Sequence, residues 1–328
     1  MESFSGDEPV QLRLFEGGIY MGALRMKAKE LKERASGSAR TLEAYAFVWR
    51  AFCRWCNDAG RDPLPCSQDT LEVYLLWLVS RERKVATAEH HTAGITFYHR
   101  RAGYPSPRSA GVSKILSELK KDLQEEPEKK EAISALDLKR VAEGCDLSTT
   151  AGLRDRTLVL LGFASTFRRS ELARLQLADV DENEIGVVLF KKRSKTDQKG
   201  KGRYFGVWNG KQESTDPVIA LKAWIVARGS WQGPLFCRIS RTGRVIQRPI
   251  TGESVNDAIQ RAIARVGLDA SRYGAHSLRA GGVTAAAKNG CTDQEIKEMS
   301  GHRSTMVMEG YIRGNRVFDG RNPLEGVL

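Results

Sequence analysis

Four stretches of helical periodicity, roughly residues 38–58, 68–83, 86–101 and 109–123, follow one another with short breakers such as "NDAGRDPLP" and "RAGYPSPRSAG" between them. Apolar residues recurring every three to four positions give each stretch one face to bury. Four such faces in succession can cover one another, so this part of the chain predicts a compact all-helical unit. It closes at "LQEEPEKKEAI", a charged, proline-containing stretch that reads as an exposed linker. The expected organisation is a loosely ordered tail over 1–24, a helical unit over 25–123, a linker over 124–133 and a second unit over 134–328.

The second unit opens with two helical patterns, "SALDLKRVAEGC" and "LRDRTLVLLGFAS". The pattern then changes. "EIGVVLFKKRSKTDQKGKGRYFGVW" places β-branched and aromatic runs on either side of a Gly/Lys/Asp-rich turn, which predicts an antiparallel hairpin. "GPLFCRI" and "RVIQRPI" add a strand or an edge, and from Thr251 onward the chain reads helical again. The fold class is therefore mainly α (α+β): an all-helical first unit, then a mostly helical second unit with one small antiparallel sheet.

Charge separates the two units. Of the formal net charge of +12, residues 1–128 carry 19 Lys+Arg against 18 Asp+Glu, so almost all of the excess lies after them. A polyanion is the favoured partner, and nucleic acid more than membrane, because the basic residues are not gathered on one amphipathic helix. No apolar window of spanning length occurs, and the acidic "MESFSGDEPV" lacks the order of a secretion signal, so a cytoplasmic location is expected. Cys53 and Cys56 form a C-x-x-C with Cys66, His90 and His91 in the following segments. Both cysteines instead fit a half-buried helix face in "YAFVWRAFCRWCNDAG", and no second C-x-x-C answers them, so no metal site is expected.

The reactive residue types fall in four places. "STFRRSELARL" sets Arg168 and Glu171 one helical turn apart; "KKRSKTDQKGKG" puts six Lys/Arg at the hairpin tip; "AHSLRAGGVTAAAKNG" sets His276 and Arg279 at i and i+3; "SGHRSTMVMEGYIR" carries His302 and Tyr311. Each is ordinary alone; an i,i+3 ion pair on a helix surface contributes only about 0.3 kcal/mol. Together they suit a phosphodiester. Two guanidiniums can fork onto non-bridging oxygens. A phenol, weakly nucleophilic at its ordinary pKa, can attack where cations and a base assist it. Histidine can move the proton, and a lysine can protonate the departing sugar oxygen. This set needs no metal and no cofactor, and no acidic cluster of the kind that holds Mg²⁺ is seen.

In this order and spacing, Arg168-x-x-Glu171, Lys195, His276-x-x-Arg279, His302 and Tyr311 resemble the tyrosine site-specific recombinases, or phage-type integrases. With "FCRWCNDAGRDPLPCSQDTLEVYLLWL" and "HRRAGYPSPRS" the resemblance runs from about residue 38 to 313. It implies that Arg168 and Arg279 bind the scissile phosphate, that Lys195 protonates the 5′-hydroxyl, that His276 acts as acid/base and that His302 hydrogen-bonds the phosphate. Tyr311 would form a 3′-phosphotyrosyl link, with Glu171 orienting its neighbours. Some members carry tryptophan where this chain has His302; histidine is the commoner residue. Lys192, Lys199 and Lys201 compete with Lys195, for which the Ser-Lys-Thr triplet is the better match. Arg169 rivals Arg168, and the three-residue offset from Glu171 selects Arg168.

The resemblance further implies a helical core-binding domain and a catalytic domain clamped on opposite faces of double-stranded DNA, and a tetramer that joins two inverted-repeat sites through a Holliday junction. Helix starts and basic helix ends nominate Arg40, Thr41, Thr87, His90, His91, Arg100 and Arg101 as DNA contacts. Gly314, Gly320, Pro323 and Gly326 argue against a continuous helix after Tyr311, and Leu324, Val327 and Leu328 are expected to plug into an adjacent protomer. The alternatives are a type IB topoisomerase-like enzyme that relaxes DNA, and a catalytically inert DNA-binding relative.

Overall fold

A computed structural model describes residues 39–123, 130–192 and 202–301. The chain divides into two compact units, Met1–Pro127 and Glu128–Leu328. In the first, four helices follow the four periodic stretches: α1 (Ala39–Asp58), α2 (Gln68–Ser80), α3 (Val85–Arg101) and α4 (Ala110–Asp122). Serines start two of them. Ser67 Oγ accepts from the Thr70 N–H at the head of α2, and Ser109 Oγ accepts from the Val112 N–H at the head of α4. Val48, Phe52, Leu71, Tyr74, Leu75, Ile95 and Val112 form the core. Gly94 lets α3 approach α1, since a Cβ there would stand 2.9 Å from Val48 Cγ1. Cys56 and Cys66 are buried in this core and Cys53 is half-buried, which is how small apolar side chains pack.

Two histidines of this unit are structural. His99 accepts the Cys66 N–H through Nε2 at 2.9 Å, with Nδ1, as the donor, 2.9 Å from the Ile95 carbonyl. His91, nominated above as a DNA contact, is buried instead, with Nδ1 2.8 Å from the Tyr74 hydroxyl. That nomination is corrected: position 91 lies on the core side of α3, next to the exposed His90. Burial first, then the charges of His90 and Arg83, push the His91 imidazole down to about 4. Because its folded pKa lies below the unfolded value of about 6.5, it contributes stability that is complete above pH ~6.5 and is lost as pH falls toward 4. Denaturant titrations of the intact protein should show this acid loss, and His91→Gln should flatten it.

The second unit is built around α6 (Thr150–Ser165), preceded by α5 (Ala135–Glu143) and followed by the single-turn α7 (Arg169–Leu172). Helix α6 is buried on most of its surface, through Leu158, Val159, Leu160 and Leu161, so it is covered from several sides. Its neighbours are α8 (Pro217–Arg228), α9 (Gly252–Arg265) and α10 (Ala275–Lys288); α11 (Asp293–Ser300) packs on α10. Strands β1 (Val180–Asn183), β2 (Gly186–Lys191) and β3 (Arg203–Trp208) form an antiparallel sheet in that order. The expected hairpin is β2–β3, in register from Gly186↔Trp208 to Lys191↔Arg203.

Two expectations need correction. Instead of one sheet there are two, because β4 (Cys237–Ile239) and β5 (Val245–Pro249) pair only with each other among the described residues. The end of the supposed linker also belongs to the second unit. Ile133 is buried in its core, its N–H bonds the Ser277 carbonyl, and the Glu131 N–H bonds the Arg272 carbonyl. Among the described residues no helix is long and apolar enough to cross a membrane.

Helices α6 and α10 meet almost backbone to backbone. A Cβ on Gly282 would stand 2.3 Å from the Phe163 carbonyl oxygen, and one on Gly281 would stand 2.4 Å from the Ile133 carbonyl oxygen. Neither neighbour can swing aside as a side chain would. Gly282→Ala should therefore force the helices apart and cost roughly 1–3 kcal/mol, read as a lower urea midpoint with an unchanged slope.

Candidate active site

The bend that ends α6 leads into Arg168 and meets Arg279 from α10. Thr166 takes a left-handed conformation (φ 53°), which stops the helix and turns its carbonyl toward α10. Arg279, 1% exposed, donates from Nη1 to that carbonyl at 2.5 Å, and the Thr166 hydroxyl donates to the Met299 carbonyl on α11 at 3.3 Å. Two residues on, Arg168 caps α7. Its N–H donates to Glu171 Oε2 at 2.9 Å and its Nη1 to Oε1 at 3.1 Å, with 38% of its side chain open to solvent. Arg169 points to another partner, Glu253 on α9 at 3.9 Å. This separates the two candidate arginines: Arg168 faces the cluster and Arg169 leaves it.

Glu171 is buried and closely surrounded by cations. Lys191 Nζ, at the end of β2, stands 3.4 Å from the same Oε1 that Arg168 holds. Burial pushes the Glu171 carboxyl up, yet Lys191, the Arg168 N–H, the Arg168 guanidinium and Arg279 together hold it below its ordinary value. His276 lies at the start of α10. That helix start is fixed by the Ala275 N–H bonded to Asn256 Oδ1 at 3.1 Å and by the Gly274 N–H bonded to Ser277 Oγ at 3.1 Å. His276 keeps exposed surface, but the protein around its ring, then Arg279 and Arg168, lower its pKa. A neutral imidazole is thus favoured beside two fixed guanidiniums, as a proton acceptor requires.

The described residues bring Arg168, Glu171, His276 and Arg279 together. Lys195, His302 and Tyr311 lie outside the described residues, as do Lys199, Lys201 and the tail from 318 to 328 with Leu324, Val327 and Leu328. The chain reaches Gly301 beside the cluster, since a Cβ there would stand 3.8 Å from Lys191 Nζ. Lys192, one rival of Lys195, is engaged by the buried Asp179 at 2.9 Å. Lys191 was not distinguished within its basic run. Strand periodicity marks it, because it shares a face with the buried Val187 and Leu189. Among the described residues no group of three or more His, Cys, Asp and Glu is placed to hold a metal ion.

In the first unit, Arg40, His90, Arg100 and Arg101 are exposed, with Thr41 and Thr87 partly so. Tyr45, Thr96, Phe97, Arg100, Ser106 and Arg108 line a cleft of about 440 Å³, in which Tyr45 and Arg108 are contact candidates that helix-end reasoning passed over.

Residues 132–316 match the Phage integrase family. An integrase/recombinase xerD homolog from Selenomonas ruminantium is 31% identical over 299 residues, spanning 90% of this chain and 87% of that one. Recombinase cre of Escherichia phage P1 is 25% identical over 301 residues, 86% of each chain. Among solved structures, a lambda integrase tetramer bound to a Holliday junction shares the fold with a TM-score of 0.58 at 15% identity, over 89% of this chain and 77% of that one. The chain belongs to the phage integrase family. It is a tyrosine recombinase, an enzyme that breaks and rejoins DNA.

Proposed function

We propose that the chain recombines two double-stranded DNA sites as a tetramer, cutting each strand through a 3′-phosphotyrosyl intermediate and exchanging strands through a Holliday junction. The observation that carries this reading is the excess of fixed positive charge around one buried carboxylate. Arg168, Lys191 and Arg279 outnumber Glu171, with His276 held toward its neutral form beside them. Such a site suits the two non-bridging oxygens of a phosphodiester, whose charge grows in the pentacoordinate transition state.

Tyr311 attacks the phosphorus, and its oxygen replaces the 5′-oxygen of the next nucleotide. His276 takes the phenolic proton, and Lys195 gives a proton to the departing 5′-oxygen. Arg168 and Arg279 hold the non-bridging oxygens with His302. The phosphotyrosyl ester keeps the phosphodiester's free energy, so rejoining runs the same steps in reverse with the partner's 5′-hydroxyl. Arg40, Thr41, Thr87, His90, Arg100 and Arg101 provide contacts to DNA from the first unit. Leu324, Val327 and Leu328 seat on a neighbouring protomer. The recombinase names of the two relatives, and the junction-bound tetramer of the lambda enzyme, favour this reading over simple relaxation of DNA.

A binding site is first recovered from random-sequence duplexes by selection on the intact protein. A duplex carrying that site and a nick near the cleavage point then traps any covalent complex, because the cut fragment diffuses away. A DNA-linked peptide containing Tyr311 is the expected product. Tight binding without a covalent product would overturn the enzymatic assignment.

A further inference from the structure

Lys191 carries a charge in a place where charge is costly. Its side chain is 11% exposed, with Nζ 4.3 Å from the ring centroid of Phe205 and 5.0 Å from that of Phe167. Aromatic faces attract the ammonium but do not accept it as water does. Its ionic partner is Glu171 Oε1, the same oxygen that Arg168 Nη1 holds at 3.1 Å. Across the strand pair its register partner is Arg203, whose guanidinium also lies over Phe205, at 5.2 Å. The charged groups acting on this point are therefore Glu171, Arg168, Lys191, Arg279 and Arg203, while Glu253 on α9 is directed to Arg169.

We propose that Lys191 is a positioning residue for cleavage: by sharing one oxygen of Glu171 with Arg168, it keeps the carboxylate from drawing the Arg168 guanidinium away from the scissile phosphate. The proposal rests on the recombinase reading above. A carboxylate oxygen that accepts from two cations is held between them, and neither is bound as closely as it would be alone. With Lys191 removed, Oε1 turns wholly to Arg168, and a displacement of about 1 Å in a phosphate clamp is enough to cost about 10²-fold in rate. Burial lowers the Lys191 pKa while Glu171 raises it, and in return Lys191 is the foremost cation that keeps Glu171 ionised.

The test compares Lys191→Met, Lys191→Gln and Lys191→Arg with the wild-type chain on the nicked duplex described above. Single-turnover covalent cleavage is followed against pH, alongside duplex affinity and thermal midpoint. Met and Gln should slow cleavage by about 10- to 100-fold with little change in duplex affinity. Relative to wild type, the deficit should narrow toward low pH, because a protonated Glu171 no longer draws the Arg168 guanidinium. Arg should restore the rate across the pH range. Should Met not fold, Gln, which keeps a neutral donor, carries the same expectation.

A wild-type rate in the folded Met or Gln variant would overturn the proposal, as would a deficit of the same size at every pH, the sign of a purely structural part. No adduct from the wild-type chain would overturn the recombinase reading instead, and this proposal with it. The two failures are thereby told apart.

Discussion

Tyr311→Phe is expected to bind its selected duplex as the wild type does and to form no covalent complex with it. The substitution removes one oxygen and keeps the ring, so packing and charge are nearly unchanged while the only atom proposed to bond phosphorus is gone. Loss of an attacking group of this kind lowers turnover by more than about 10⁴-fold, which in a single-turnover trapping assay reads as none. Retained adduct formation would mean that another side chain attacks. Comparison of equilibrium binding with adduct yield, on one DNA, separates the step of recognition from the step of chemistry.

Arg279→Ala should lose most of the cleavage, though less than Tyr311→Phe, and should also weaken the fold. Arg279 is almost wholly buried and bonds the Thr166 carbonyl. Truncation leaves that carbonyl without this donor, at a cost of roughly 1–3 kcal/mol, and removes one of two guanidiniums proposed to meet the developing phosphorane charge. A single donor of this kind is worth about 10²–10³ in rate. Arg279→Lys keeps the charge without the planar fork and should recover stability better than rate. Thermal unfolding and single-turnover cleavage, measured on both variants, check this. A variant that loses stability but cleaves at the wild-type rate would remove Arg279 from the reaction.

Much of the architecture was legible because its causes are local. The four helices of the first unit follow apolar periodicity, and their starts at Ser67 and Ser109 follow from side chains that satisfy a backbone N–H three residues on. The β2–β3 hairpin follows from alternation on either side of a glycine-rich turn. What escaped was set by distant partners. Strand β1 is the polar "VDEN", extended because β2 lies beside it rather than by propensity. His91 faces inward because Tyr74, seventeen residues away, provides a hydroxyl for it. Ile133 looked like linker because its covering, at Ser277, is more than a hundred residues downstream.

The site divides the same way. Spacing alone paired Arg168 with Glu171 and His276 with Arg279: the first pair meets across a helix cap, the second shares a helix face. Lys191 was hidden by company: in a run of basic residues, only its strand face and two aromatic rings from Phe167 and Phe205 set it apart. Lys195, His302 and Tyr311 rest on resemblance and on the chemistry they would complete.

The left-handed turn at Thr166 has one more effect. Residues 168 and 279 are far apart in the chain, yet one lies two residues after that turn and the other is hydrogen-bonded to it. The two guanidiniums proposed to grip the phosphate are thus tied to one turn, so a substitution at Thr166 would disturb both at once.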